Sequence, residues 1–259
     1  MARILAITNQ KGGVGKTTTG VNLAASLAAA NRRVLLVDLD PQGNATMGCG
    51  IDKRAVAATV YDVLLEEKDI AGVRVRSDSG GFDVVPANRE LAGAEVELVD
   101  EAHRETRLRD ALARVDAEYD FVLIDCPPAL NLLTVNGLTA AHAVVIPMQC
   151  EYYALEGLSD LVQTIRRVRA NLNPALEIEG LLRTMYDPRN TLALQVSKEL
   201  QQHFGDKVYR TVIPRNVRLA EAPSHGLPAM AFDRASKGAL AYITLAGEML
   251  NRAAPLESV

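Results

Sequence analysis

An α/β fold, built on a mostly parallel, twisted sheet with helices on both faces, is what this 259-residue sequence predicts. Three observations predict it. Short apolar, β-branched runs recur along the chain, stretches of helical composition separate them, and a glycine-rich loop joins the first run to the first helical stretch. Buried strands that alternate with helices give a parallel sheet covered on both sides.

The elements follow in order. "ARILAIT" is an apolar strand that runs into "NQKGGVGK", and "GKTTTGVNLAASLAAANR" behind it is Ala/Leu-rich with apolar residues at helical spacing. "RVLLVDLD" repeats the strand signal, followed by "DVVPA", "DFVLIDCPP", "AVVIPMQ" and "EIEGLLRTMY". Segments such as "ETRLRDALARVDAEY" and "EGLSDLVQTIRRVRANL" read as the intervening helices. A last helix is expected from about Gly238 to Arg252, packed on the sheet. No internal repeat or long Pro/Gly/Ser linker divides the chain, so one domain is expected over residues 1–252, with a short tail over 253–259.

Composition excludes several classes. With 48% hydrophobic residues there is material for a sizeable core, yet no apolar run approaches the ~20 residues of a membrane span, and the N-terminus enters a strand without a signal-peptide core. A cytoplasmic protein is expected. Cys49, Cys126 and Cys150 are an odd number without metal spacing and read as reduced thiols; His103, His142, His203 and His225 show no metal spacing either. The net charge of -4 is unevenly spread: residues 1–160 hold 15 Lys/Arg against 23 Asp/Glu, and residues 161–259 hold 13 against 9. A basic face, if there is one, belongs to the C-terminal part. With no Trp and 4% aromatics, base stacking is not the means of holding nucleic acid.

"KGGVGKTT" is a phosphate-binding loop of the P-loop NTPase class, set between strand and helix as its chemistry requires. The backbone N–H groups of Gly12, Gly13, Val14, Gly15, Lys16, Thr17 and Thr18 are expected to surround phosphates, helped by the positive end of the helix. Lys16 would reach the β- and γ-phosphates of ATP, and the Thr17 hydroxyl would bind Mg²⁺. Asp125 closes "DFVLID" and is expected to hold Mg²⁺ through a coordinated water. Of the two acids in "LLVDLDPQGN", Asp40 before Asp38 is the candidate to orient an attacking water next to the metal, with Asp38 otherwise a structural carboxylate. The residues alone leave Lys11 open between a solvated loop charge and a functional group.

Together "KGGVGKTTT", "LLVDLDPQGN", "FVLIDCPP", "CEYYALEGL" and "VIPRNVRLAEAPSHGLP" resemble the ParA/Soj family of partition ATPases, within the MinD/ParA group of deviant Walker proteins, from about Arg3 to Gly238. The resemblance implies a homodimer when ATP is bound, with two nucleotides sandwiched face to face and each Lys11 reaching the phosphates of the opposite subunit. A cation from each side offsets the repulsion between two triphosphates. It further implies slow hydrolysis, non-specific binding of double-stranded DNA by the ATP dimer, and release when a ParB-type centromere-binding partner stimulates hydrolysis through a basic peptide. Such a protein is cytoplasmic and nucleoid-associated.

Arg189 and Arg218 match positions at which the family contacts DNA, with Arg215 as a further DNA-binding candidate beside them and Lys198, Lys207, Arg210 and Lys237 as other prospective neighbours. Met185 and Pro214 resemble the adenine-side contacts; strand-end residues of these types are also ordinary structural choices. A MinD-type membrane cycle would need a basic amphipathic C-terminus, which "EMLNRAAPLESV" is not, and no membrane partner is expected. A cluster-bearing relative would need a second cysteine after Cys126 in a glycine-rich setting.

Overall fold

The computed structural model describes residues 1–253. Its first half runs β1 (Arg3–Ile7), α1 (Lys16–Ala29), β2 (Val34–Asp38), α2 (Asn44–Gly48), α3 (Val60–Leu65), α4 (Ile70–Val73), β3 (Val75–Ser77), β4 (Phe82–Val85), α5 (Leu91–Glu97) and α6 (Arg107–Ala113). The second half runs β5 (Phe121–Asp125), α7 (Leu132–Ala140), β6 (Ala143–Gln149), α8 (Ala154–Asn171), β7 (Glu177–Tyr186), α9 (Thr191–Phe204), β8 (Val208–Pro214), α10 (Val217–Glu221), α11 (Ala229–Phe232) and α12 (Lys237–Ala253). The eight strands form one sheet in the order β3-β4-β2-β5-β1-β6-β7-β8. Every pairing is parallel except that of β3 with β4.

The central strands alternate between two apolar layers because successive side chains point to opposite faces. Ile4 and Ala6 of β1, Leu35 and Val37 of β2, and Val122 and Ile124 of β5 enter the layer packed by α3, α5, α6, α7, α8 and α9. Leu5 and Ile7, Val34 and Leu36, and Phe121 and Leu123 enter the other, which α1 and α12 cover through Leu23, Leu27, Tyr242, Leu245 and Met249. Each such side chain taken fully out of water contributes roughly 1.5–3 kcal/mol before chain entropy is charged against it. The Thr19 hydroxyl meets the Tyr242 hydroxyl at 3.1 Å in the buried α1–α12 contact, so neither polar group is left bare.

The six strands read from the sequence are all present, and two edge strands join them. β3 is three residues long with two exposed, and β8 mixes buried, half-buried and exposed positions, so neither shows a continuous apolar run. The last helix begins at Lys237 and ends at Ala253, one residue beyond its expected span at each end. The tail expected over 253–259 otherwise lies outside the described residues. Among the described residues no helix is long and apolar enough to cross a membrane.

Candidate nucleotide site

In an open parallel sheet the carboxyl ends of the central strands form the binding edge. β1 lies between β5 and β6, and the loop over residues 8–15 emerges from it at that edge. Asn9 anchors the loop: its amide donates to the Pro147 carbonyl at 2.8 Å, and its side-chain oxygen accepts from the Lys11 backbone N–H at 3.0 Å. Thr184 donates to the Val14 carbonyl at 2.7 Å, and Gln149 reaches the Gly13 carbonyl at 3.4 Å. Neither Asn9, Gln149 nor Thr184 stands out as a site residue in the sequence. The available signal was position, since Gln149 and Thr184 stand at the carboxyl ends of neighbouring strands.

Gly15 has φ +88 and stands just before α1, whose start has no side-chain cap. A residue with a Cβ strains in that conformation, while the uncapped first turn leaves N–H donors available to an anion. Lys16, almost fully buried, turns back under the loop and donates to the Lys11 carbonyl at 3.2 Å. Burial lowers the Lys16 ammonium from its usual value, and Asp125, Cys126 and Asp40 work against that shift.

Asp38 and Asp125 end β2 and β5, are partners in the β2–β5 register, and are both fully buried. They differ in company. Asp38 accepts from the Thr46 N–H at 2.8 Å, the Thr46 hydroxyl at 2.7 Å and the Asp40 N–H at 3.1 Å. Burial still pushes its carboxyl up to about 6. Asp125 has no hydrogen-bond partner on either oxygen. Its carboxyl is raised well above the usual range, first by burial and then by the charge of Asp38. The Thr17 hydroxyl beside it works in the opposite direction but does not sit in hydrogen-bonding geometry. Two dry, unpartnered carboxylate oxygens beside Lys16 and Thr17 are what a hard cation would satisfy. Mg²⁺ is an ion held by few protein carboxylates plus waters and phosphates.

Asp40 is half-buried in the turn after β2, where its side chain accepts from the Gln42 N–H at 2.9 Å and its carbonyl from the Gly43 N–H at 2.8 Å. Gly43 takes φ +60, and a Cβ there would lie 2.6 Å from the Ala87 carbonyl oxygen, so glycine is required. Lys11 points outward and pairs with Glu151 at 2.5 Å.

Met185, at φ +47, stands at the end of β7 beside Gln149, and Tyr186 pairs in register with Pro214 of β8. Both adenine-side candidates therefore lie on the edge that carries the loop. Arg189 is 88% exposed and forms a two-pronged pair with Asp187 at 2.8 and 3.0 Å. Arg215 lines a cavity of about 190 Å³ with Asp187, Glu151 and Met185. Arg218 instead pairs with Glu221 at 2.8 Å and Asp233 at 3.3 Å, so the three arginines share an edge but not one set of contacts. Lys207 and Arg210 are not their neighbours. They sit at the start of β8 and line a separate cavity with Arg3, Glu179 and Arg252. The seven residues of β8 carry the chain some 20 Å to Arg215 at ~3.3 Å each. The sequence separation is short, but an extended strand spans the sheet.

A family model described as an AAA domain matches residues 2–178. Among named relatives, the chain is 57% identical over 249 residues to the sporulation initiation inhibitor protein Soj of Bacillus subtilis, covering 96% of this chain and 98% of that one. It is 55% identical over 252 residues to the chromosome partitioning protein ParA of Caulobacter vibrioides, covering 96% and 94%. Among solved structures it superposes on a cobyrinic acid a,c-diamide synthase from Mycobacterium smegmatis with bound ADP and magnesium (TM-score 0.85, 42% identity, covering 97% and 95%). It also superposes on the septum site-determining protein MinD from Pyrococcus horikoshii complexed with Mg-ADP (TM-score 0.79, 27% identity, covering 98% of each chain).

Proposed function

The chain belongs to the ParA/Soj family of chromosome-partitioning P-loop ATPases, and on that premise we propose that it is an ATP-driven DNA-partition switch. The observation that carries the reading is Asp125, whose two buried, unpartnered oxygens stand beside Lys16 and Thr17 at an uncapped helix start. Amides of residues 12–18 bind the triphosphate of ATP, and Lys16 contacts its β- and γ-phosphates. Thr17 and Asp125, with Asp40 near them, would hold Mg²⁺, which would supply neutralisation of phosphate charge. Asp40 orients the attacking water, and Asp38 fixes the turn that carries Asp40 through its bonds to Thr46 and to the Asp40 N–H. Met185 and Pro214 bound the adenine. The synthase-named neighbour, at 42% identity, is a more distant match than the partition proteins at 57% and 55%, so its named activity is not carried over.

In the ATP state two copies face each other, and each Lys11 reaches the phosphates of the partner subunit. The dimer doubles the surface bearing Arg189, Arg215 and Arg218, which contacts the phosphates of double-stranded DNA without reading sequence. A ParB-type centromere-binding protein stimulates hydrolysis and so releases DNA and dimer together. The protein then cycles between cytoplasm and nucleoid with slow hydrolysis as the timer.

The test is fluorescence anisotropy of a labelled duplex of arbitrary sequence, titrated with protein and ATP or ADP across a salt series, with Arg189→Ala and Arg218→Ala beside the wild type. Binding that requires ATP, falls steeply with salt and is lost in both variants is expected. Binding in no nucleotide state overturns the DNA assignment and leaves the ATPase assignment to a hydrolysis assay.

A further inference from the structure

We infer that Glu151 is a positioning residue that stores Lys11 on its own subunit and so sets the protein concentration at which the ATP dimer forms; this rests on the sandwich-dimer reading above. The backbone of Lys11 is fixed at both ends. Its N–H donates to Asn9 and its carbonyl accepts from Lys16, so the carbonyl faces the inside of the phosphate loop. The side chain consequently leaves the loop on the outer side, where its ammonium meets the Glu151 carboxylate at 2.5 Å. Glu151 belongs to the segment after β6, two residues beyond Gln149, whose amide touches the Gly13 carbonyl. The pair thus braces the loop from a neighbouring strand end, and both side chains are about half exposed.

A lysine held in this way cannot at the same time neutralise phosphates across a dimer. The pair must open once in each subunit before two Lys11 side chains can cross. Half-exposed pairs are weak, so the store is reversible: breaking one shifts an equilibrium by about 1.4- to 5-fold. Two openings per dimer square that factor, to about 2- to 30-fold in the dimer dissociation constant. Glu151→Gln keeps the size of the side chain and removes the charge that holds Lys11.

The experiment is analytical ultracentrifugation of the wild type, Glu151→Gln and Glu151→Asp with magnesium and a non-hydrolysed ATP analogue. Alongside it, mass spectrometry follows acylation of Lys11 in the nucleotide-free protein, with exposed Lys198 as internal reference. Glu151→Gln should lower the dimer dissociation constant by about 2- to 30-fold and raise the acylation rate of Lys11 relative to Lys198. Glu151→Asp, which keeps the charge on a shorter arm, should fall between. A dimer that is unchanged or weakened in Glu151→Gln overturns the inference, as does a stronger dimer with no change in Lys11 reactivity, since Glu151 would then act by another route. A wild type that stays monomeric with the analogue brings down the sandwich reading, and the inference with it.

Discussion

Replacing Asp125 by Asn should stabilise the nucleotide-free protein at neutral and higher pH while removing its response to magnesium nucleotide. Asp38 gives the scale. Even with three donors it is pushed up to about 6 by burial, roughly two pKa units above an ordinary aspartate, and two units amount to about 3 kcal/mol. Asp125 is equally buried, has no donor and faces the charge of Asp38, so its ionisation is disfavoured in the same direction. A carboxyl raised in the folded state binds protons more tightly folded than unfolded. Its contribution to stability is therefore full below the unfolded value near pH 4 and is lost as pH rises through the folded value, here from about 4 to 6 for Asp38 and further up for Asp125. Asn keeps the shape and removes the charge, at the cost of an amide that is itself unpartnered, so the variant should gain in stability relative to the wild type as pH rises from 5 to 8. Thermal unfolding in EDTA across pH 5–8 measures it, as a Tm difference between variant and wild type that grows toward the upper end. With magnesium and ATP present at 100 times the dissociation constant, the wild type should gain about 2.7 kcal/mol and the variant much less. An Asn variant that is less stable at pH 8, or a gap that does not change with pH, would refute the account of Asp125 as an unpaired buried charge.

Lys16→Ala should abolish ATP-dependent thermal stabilisation and dimer formation, because it removes the cation under the loop; thermal unfolding with and without ATP reads the first and sedimentation the second. Asp40→Ala should bind ATP and dimerise but hydrolyse slowly and stay in the ATP state, and a normal phosphate-release rate would show that another group orients the water. Gly43→Ala should lose about 2 kcal/mol or more, because its Cβ would lie 2.6 Å from the Ala87 oxygen at φ +60, and should impair hydrolysis more than ATP binding, since the displaced turn carries Asp40 rather than the phosphate loop. Denaturant titration and ATP titration separate the two effects.

The central sheet was legible because β1, β2, β5 and β6 are buried on both faces, and a strand without a solvent face is apolar along nearly its whole length. β3 and β8 escaped notice because edge strands are released from that demand. The phosphate-loop pattern stood out for a related reason: Gly15, Lys16 and Thr17 lie at fixed local spacing, so recognising it needs no long-range contact. The difference in hydrogen-bond partners between Asp38 and Asp125 was not legible. Both close apolar strands, and what separates them is Thr46, eight residues from Asp38 and brought to it by the turn through Gly43. Nor could spacing show that Lys11 faces Glu151, a contact across 140 positions. Lys207 and Arg210 were misplaced for want of one element, since recognising β8 puts them at the opposite edge from Arg215.

The arginines carry a consequence that a charge count hides. Arg189 is engaged by Asp187 through two hydrogen bonds, and Arg218 by Glu221 and Asp233. The effect reaches the carboxylate too: the Arg189 side chain, then its backbone N–H, hold Asp187 down at about 2. Each arginine that takes up a DNA phosphate must either leave its carboxylate or share it, and a carboxylate that remains nearby repels the phosphate. The favourable release of counterions from DNA is thus partly offset by ion pairs broken on the protein. Salt weakens those internal pairs as well as the contacts to DNA. The salt dependence per arginine should therefore fall below the slope of about 0.9 per phosphate contact expected for free cations on duplex DNA. Asp187→Asn frees Arg189 from its pair, so it should tighten DNA binding at low salt and steepen the slope of log affinity against log salt. A slope left unchanged by Asp187→Asn would mean that Arg189 does not reach a phosphate at all.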